Sequence, residues 1–436
     1  MKKIIDSVAV LLSYQNEILI IQRQNHLHAF PGYWAFPGGK VEAVDFSDGE
    51  FFFKEELSQS VENACFREIK EELGIDFRLE RTMISSLKEV GVALSPAFNP
   101  IRFSTHFVHI ELNKKPSLQV DEDEIFCAHW RTKEQLLDQY RNGNLLVVPP
   151  VLSLIETFGF DQMTCSLRLD HESDIPFVES LYKLRQYMPL SNTLPPAERT
   201  NCFVIDEKIV VDPSPKNEQE FDLLLAQLRH HPLEILFITH QHPDHYERAN
   251  RIARELKLPV YISLDSYSRI CSKFPDFFAD LKIYHPKDGE VIGEWLGKKI
   301  NVMEVPGHDE GQLALMPETK EWFIAGDLFQ GMGSVVIGGE EGNMKKYMLT
   351  LEKVININPK VLYPSHGIGL GGVNILKKNL EHRKLREDQV LRLIQMGHQE
   401  EEILTHLYSD IPQNLQLYAR ENIKKHIEKL KEEGRI

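Results

Sequence analysis

The sequence predicts a multidomain chain that mixes α/β and α+β architecture, in three parts covering 1–160, 163–375 and 376–436. Three observations carry that expectation. The first part alternates short apolar runs with one strongly patterned helix. The second repeats a unit in which a short apolar run ends in a turn bearing His or Asp. Everything from Asn374 onward has helical periodicity. A length of 436 residues fits about three domains of roughly 150 residues each.

In the first part, Ser7 to Leu12 and Ile18 to Ile21 read as two strands around the turn Tyr14-Gln15-Asn16-Glu17. The loop Ala35-Phe36-Pro37-Gly38-Gly39-Lys40-Val41-Glu42 follows. In the stretch Ala64 to Ile75, Cys65, Phe66, Ile69 and Leu73 recur at helical spacing, and Gly74 is a stop signal. Glu68, Glu71 and Glu72 then share one helix face. Three carboxylates there repel one another unless cations are present, and clustered oxygen ligands suit magnesium or manganese.

Gly38-Gly39 together with Arg67-Glu68-x-x-Glu71-Glu72-x-Gly74 resembles the Nudix box. The resemblance implies an α/β/α sandwich and hydrolysis of a diphosphate bond in a nucleoside diphosphate derivative, by metal-activated water. Glu68, Glu71 and Glu72 fall on its metal and catalytic positions, with Arg67 orienting the carboxylates. Two features depart from it. Gln59 stands where the box has a Glu, and the loop from Gly39 to Gln59 is long, carrying Asp45, Asp48, Glu50 and Phe51-Phe52-Phe53. Glu50, Glu55 or Glu56 is the expected substitute for the missing carboxylate. Gln22-Arg23, Ala35 to Gly39 with Asp45, and Asn144 to Phe158 with Pro149-Pro150 are similar to the coenzyme A diphosphatase branch. That similarity implies coenzyme A or acyl-coenzyme A as substrate. Arg23, Gly38, Gly39 and Arg102 are the candidate substrate contacts, and Glu111 is a candidate further ligand.

A polar break at Gly159 to Met163 leads into the second part. Its centre is Thr239-His240-Gln241-His242-Pro243-Asp244-His245, after the apolar run Leu233 to Ile238. Imidazole nitrogen and carboxylate oxygen suit a borderline ion such as zinc, and four ligands this close suggest two ions side by side. Strand alternation puts His240 and His242 on one side, with Asp244 and His245 on the other. Further candidates end further runs: His308 after Ile300 to Val305, Asp327 after Trp322 to Ala325, and His366 after Val361 to Tyr363.

This set resembles the metallo-β-lactamase-fold hydrolases. The resemblance implies an αββα sandwich, with His240, His242 and His308 on a first metal and Asp244, His245 and His366 on a second. Asp327 bridges them, and Asp244 and Asp327 also act in catalysis by orienting the nucleophile. The ions are zinc, with iron or manganese as alternatives, and the scissile bond is an ester, thioester or phosphodiester. Asn201 to Asp212 resembles the family's opening hairpin. Gly367-Ile368-Gly369-Leu370-Gly371-Gly372 matches Gly-x-Gly-x-x-Gly, but no second βαβ strand with a terminal acid follows, so a turn lining the metal cleft is expected instead of a dinucleotide site.

The third part reads as helices over Lys377 to Ile394, Glu400 to Tyr408 and Leu415 to Leu430, with Leu380, Leu385, Leu391 and Ile394 among the apolar positions of the first. The end, Leu430 to Ile436, reads as a helix running into a short wing strand. Three helices and a wing resemble the winged-helix tail of one metallo-β-lactamase-fold branch, which includes an endoribonuclease. Lys424, Lys425, Lys429, Lys431 and Arg435 form a basic face suited to RNA phosphates. Yet 377–436 holds 12 Lys and Arg against 11 Asp and Glu, so a structural or homodimerising role competes with RNA binding.

A formal charge of −15 argues against nucleic-acid binding by the chain as a whole. Five scattered cysteines (65, 127, 165, 202, 271) without Cys-x-x-Cys indicate a reduced, cytoplasmic chain. Val8 to Leu12 is too short for a signal core, and no run of 18 apolar residues exists to span a membrane.

Overall fold

The computed structural model describes residues 4–47, 51–53, 56–96, 102–160, 163, 174–331, 335–409 and 412–436. Asp48, Glu50, Glu55, residues 161 and 162 of the expected break, and Cys165 therefore lie outside the described residues. The chain divides into two compact units, Met1–Arg185 and Gln186–Ile436.

In the first unit the expected hairpin forms as β1 (Ile4–Tyr14) and β2 (Glu17–Arg23). Its sheet also holds β3 (Trp34–Ala35), β4 (Ile84–Leu94), β5 (Arg102–Leu112) and β6 (Ile125–Thr132). The order is β3-β2-β1-β5-β4, with β6 also paired to β2. Alternate residues of β1 enter different cores, because successive side chains of a strand point to opposite faces. Val8, Val10 and Leu12 pack with Cys65, Phe66, Ile69 and Leu73 of α1 (Gln59–Leu73). Leu11 packs with Leu136 and Tyr140 of α2 (Lys133–Arg141) and with Leu154 and Ile155 of α3 (Pro149–Thr157). Helices thus cover both faces, which is why β1 reads as a near-continuous apolar run. Ser58 caps α1, accepting from Val61 N–H, and Gly74 ends it in the left-handed region at φ +71°.

β7 (Phe177–Leu181) closes the first unit and β8 (Leu184–Tyr187) carries the chain into the second. One sheet there has the order β13-β12-β11-β10-β9-β8. It comprises β9 (Cys202–Ile205), β10 (Ile209–Val211), β11 (Ile235–Phe237), β12 (Val260–Tyr261) and β13 (Ile283–Tyr284). The other runs β14-β15-β16-β17-β18-β19: Val291–Trp295, Lys298–Glu304, Leu313–Pro317, Phe323–Ile324, Val361–Tyr363 and Leu370–Gly371. The sheets meet closely where Gly293 of β14 faces Ile209 of β10; a Cβ there would lie 2.9 Å from the Ile209 side chain. Helices α4 (Glu218–Leu228), α5 (Pro243–Tyr246), α6 (Ala249–Leu256), α7 (Leu264–Lys273) and α8 (Met344–Ile357) complete the αββα arrangement.

The tail holds α9 (Asn374–Gln395), α10 (Glu400–Tyr408) and α11 (Gln416–Glu432). Three expectations change here. The wing strand does not form among the described residues: α11 runs to Glu432 and a turn at Glu433 and Gly434 follows. Leu385 is exposed rather than packed. The basic face is partly turned inward, because Lys425 and Lys429 are buried and Lys429 and Arg435 both pair with Glu387. Lys424, Lys431 and Arg435 remain exposed, Arg435 while paired with Glu387. No described helix is long and apolar enough to cross a membrane.

Candidate metal centre and carboxylate helix

The ligand-rich stretch leaves β11 at Thr239, which is fixed by Asp212 at the end of β10. Thr239 N–H donates to Asp212 Oδ1 at 2.8 Å, and its hydroxyl donates to Oδ2 at 2.6 Å. Pro243 then starts the single turn α5, with His242 as its N-cap. Asp244 and His245 thus lie on a helical turn, and strand alternation does not set their directions, contrary to the sequence reading.

The three predicted first-metal ligands converge. His242 Nδ1 lies 2.9 Å from both His240 Nε2 and His308 Nε2. Asp244, His245 and His366 form the neighbouring cluster, with His366 Nε2 3.5 Å and His245 Nε2 3.7 Å from Asp244 Oδ2. Asp327 stands between them. Its Oδ1 is 3.6 Å from both His245 Nε2 and His366 Nε2, and its Oδ2 is 3.6 Å from His308 Nε2. Gly307 allows the turn before His308: its φ is +132°, and a Cβ would fall 2.3 Å from the Tyr347 backbone.

Each ring has a partner at its other nitrogen, which fixes the tautomer. His308 Nδ1–H donates to the Val336 carbonyl at 2.8 Å, and His366 Nδ1–H to the Arg199 carbonyl at 2.9 Å. His245 Nδ1–H donates to Asp212 Oδ2 at 2.8 Å, and His240 Nδ1 lies 3.0 Å from the Thr239 hydroxyl. His242 is reversed: its Nε2 faces Glu341 at 3.4 Å, leaving Nδ1 for the cluster.

Electrostatics match a cation site. Burial lowers His240 strongly and brings His308 down to about 4, so both rings are neutral and present lone pairs. Burial opposes charge on His245 and His366 too, but the carboxylates of Asp244 and Asp327 outweigh it and raise both. Asp327 is buried, yet His366 and His245 hold its carboxyl well below the usual range. Without an ion, protons on these rings balance the carboxylates, so metal uptake must release protons. His245 Nε2 and Asp327 Oδ1 are buried without a hydrogen-bond partner. Such orphaned atoms in a set of imidazoles and carboxylates fit a pair of divalent ions.

In the first unit, α1 presents its carboxylates to the glycine loop. Gly38 N–H donates to Glu72 Oε2 at 2.9 Å. Gly38 has φ +149°, and a Cβ would lie 2.2 Å from the Val8 carbonyl; a Cβ on Gly39 would lie 2.3 Å from Glu68 Oε1. Burial pushes Glu72 up to about 8 and also raises Glu68, while Glu71 is exposed. Glu72 Oε1 is buried without a partner, which again fits a cation. Arg67 Nη1 donates to Glu68 at 2.8 Å and to Glu71 at 2.9 Å.

Arg67 is also clasped by the buried Asp45, from Nε at 3.1 Å and from Nη2 at 2.9 Å. Among the described residues, Asp45 supplies the two-bond carboxylate partner for Arg67 that an amide at position 59 cannot. Of the three expected alternatives, Glu50 and Glu55 lie outside the described residues and Glu56 is exposed. Three other candidates are engaged elsewhere: Arg23 Nε donates to the Ala29 carbonyl, Arg102 to the Ser95 carbonyl, and Glu111 accepts from Ser86.

Family models match three segments. A NUDIX domain matches residues 3–149, the metallo-beta-lactamase superfamily 195–366, and the beta-lactamase associated winged helix domain 400–436. The chain is a NUDIX and metallo-beta-lactamase fusion with a winged-helix tail. It is a hydrolase of these families. A Beta-lactamase-like protein 2 homolog from Caenorhabditis elegans is 26% identical over 54% of this chain and 79% of its own length. An Atrochrysone carboxyl ACP thioesterase from Aspergillus fumigatus is 24% identical over 45% of this chain and 60% of its own. A beta-lactamase domain protein structure from Burkholderia ambifaria shares the fold, with a TM-score of 0.50 at 18% identity, covering 59% of this chain and 88% of that one.

Several residues of the fusion's two sites carried little or no sequence signal for the roles they take. Asp212 of the metallo-beta-lactamase domain stands in the hairpin as an ordinary strand-end acid. Asp309, buried against Gln241 at 3.0 Å, joins His242 and Glu341 in a further cluster. In the NUDIX domain, Asp45 stood out as one acid of a long loop and as part of the coenzyme A diphosphatase similarity, not as a partner of Arg67. A positional cue existed for Asp212, because acids ending strands are candidate ligand supports. None marked Glu341 or Asp309.

Proposed function

We propose that the metallo-beta-lactamase domain hydrolyses an acyl thioester and that the NUDIX domain hydrolyses a diphosphate, with coenzyme A and acyl-coenzyme A as the common substrate class. The division of labour follows limits of 1–160, 163–375 and 376–436. The observation that carries it is the convergence of seven ligand side chains around buried, partnerless His245 Nε2 and Asp327 Oδ1. The relative named as a thioesterase supports the thioester assignment.

His240, His242 and His308 would hold one ion and Asp244, His245 and His366 the other, with Asp327 standing between the two sets. Imidazole with carboxylate favours zinc there, while the all-oxygen set Glu68, Glu71 and Glu72 favours magnesium or manganese. When bound, such an ion pair lowers the pKa of its water towards about 7 and polarises the scissile carbonyl. Asp244 and Asp327 orient the nucleophile through their carboxylate oxygens. In the NUDIX domain, Arg67 fixes Glu68 and Glu71, and the glycine loop holds Glu72. The free cysteines Cys65, Cys127, Cys202 and Cys271 accord with a cytoplasmic protein.

The test is a substrate panel on the full chain with defined metals: acyl-coenzyme A, dinucleoside polyphosphates and short single-stranded RNA. His240→Ala should cut thioester hydrolysis by about a hundredfold or more and leave diphosphate hydrolysis unchanged; Glu71→Gln should do the reverse. RNA cleavage without thioester hydrolysis would replace the thioester reading with an endoribonuclease-like one. Loss of both activities in His240→Ala would refute the division of labour.

A further inference from the structure

The tail helices reach the metal centre through one loop. Residues 335–342 carry two groups that fix ligand rings: the Val336 carbonyl, bonded to His308, and the Glu341 carboxylate, facing His242. Three contacts from α9 and α11 hold that loop. Arg383 Nη2 donates to the Val335 carbonyl. Ile337 N–H donates to Asn422 Oδ1 at 3.1 Å. Gly339 N–H donates to Glu421 Oε2 at 3.2 Å. Arg383 Nη1 also donates to Asn422 Oδ1, at 3.0 Å, so two of the anchors share one atom.

The seat is tight. A Cβ on Gly338 would lie 2.8 Å from Glu421 Cβ, and Gly342 N–H closes the loop on the Gly338 carbonyl at 3.0 Å. Arg383 and Asn422 are both buried. Burying a guanidinium and an amide is costly unless they are bonded; Arg383 Nη2 and Asn422 Oδ1 bond this loop, while Asn422 Nδ2 donates to the Tyr418 carbonyl at 3.0 Å.

We propose that Arg383, Glu421 and Asn422 are positioning residues for the ion held by His240, His242 and His308. The tail on this view is a structural part of the metal centre. Releasing the loop shifts the Val336 carbonyl and the Glu341 carboxylate. His308 and His242 then lose the partners that set their tautomer and ring angle. Loss of such outer partners weakens metal binding by about ten- to a hundredfold. The effect is one-sided, because His245 and His366 are fixed by Asp212 and the Arg199 carbonyl, outside the loop.

The inference rests on the binuclear reading, and the experiment separates the two. The full chain and its variants are titrated with cobalt(II) and zinc against a competing chelator, following cobalt absorption and metal stoichiometry. Glu421→Ala and Asn422→Ala should each weaken one ion by about tenfold or more and leave the other within about twofold. Asn422→Asp keeps an acceptor for Ile337 N–H and Arg383 and should recover most of the loss. Lys424→Ala, on the exposed side of α11, should bind both ions as the parent does. If Asn422→Ala does not fold, the half-buried Glu421→Ala decides. Unchanged affinities, or equal weakening of both ions, would overturn the brace while the binuclear reading stands. A parent chain that takes up no metal would overturn both.

Discussion

Asp45 answers a question that Gln59 raises. The half-buried guanidinium of Arg67 on α1 needs a carboxylate, and an amide at position 59 cannot supply charge. Asp45 meets Arg67 with two bonds, at 3.1 and 2.9 Å, and its own carbonyl accepts from Asn63 at 2.9 Å. This charge holds Arg67 protonated and aims Nη1 at Glu68 and Glu71. Gln59 instead reaches the Ser47 carbonyl at 3.5 Å, at the end of the same turn. Asp45→Asn should therefore lower diphosphate hydrolysis about tenfold or more, whereas Gln59→Glu should leave it within about twofold. Steady-state kinetics on both variants with saturating magnesium decide it; a gain from Gln59→Glu would show that Asp45 is not a full substitute. The carboxylates of α1 and the seven side chains that converge in the second unit were legible because residue type and local spacing mark them. Asp45, Glu341 and Asp212 were not, because only the fold brings an acid in a long loop or at a strand end to its partner.

At the scale of elements, strand ends were readable and their supports were not. β18 matches its expected run, and β11, β15 and β17 overlap theirs, since each is a short apolar stretch and all but β11 are closed by Gly or Pro. α5 was missed because a single turn has no periodicity. The tail helices were found but their charged face was misread, as spacing alone cannot say whether a lysine meets water or a buried acid. Glu387 of α9 is that acid: Lys429 and Arg435 bond it at 2.9 and 2.7 Å. Burial alone would raise its carboxyl, but the neighbouring His426, 3.5 Å away, and the bond and charge of Lys429 bring it down to about 2. Burial keeps His426 itself low, so the two longer cations supply the counter-charge. With a folded value near 2 below an unfolded value of about 4.3, the stabilisation is fully present above the unfolded value and is lost as pH falls through about 2. Glu387→Gln should weaken docking of α9 and α11 by about 3 kcal/mol at pH 7, as for a broken buried pair. Hydrogen exchange in those helices reads this, and the gap from the parent should narrow as the pH approaches 2. A gap that stays constant with pH would remove Glu387 ionisation from the account.

At the scale of the whole molecule, the two proposed hydrolytic sites share one chain but not one donor set. The second unit offers five imidazoles and two carboxylates, and the first offers only carboxylate oxygens. Imidazole sites hold zinc far more tightly than magnesium, while a carboxylate helix binds magnesium through oxygen and exchanges it readily. Removing one metal should therefore silence one activity. Treating the full chain with dipicolinate in excess magnesium should abolish thioester hydrolysis and leave diphosphate hydrolysis within about twofold. Zinc added back should restore the first activity without raising the second. The order of loss also reports on the tail: because Glu421 and Asn422 hold the loop beside His242 and His308, Glu421→Ala should lose thioester hydrolysis at a lower chelator concentration than the parent, with magnesium-dependent hydrolysis unmoved. Parallel loss of both activities on chelation would mean that the two sites draw on a common metal, and the separation argued from their donor sets would fail.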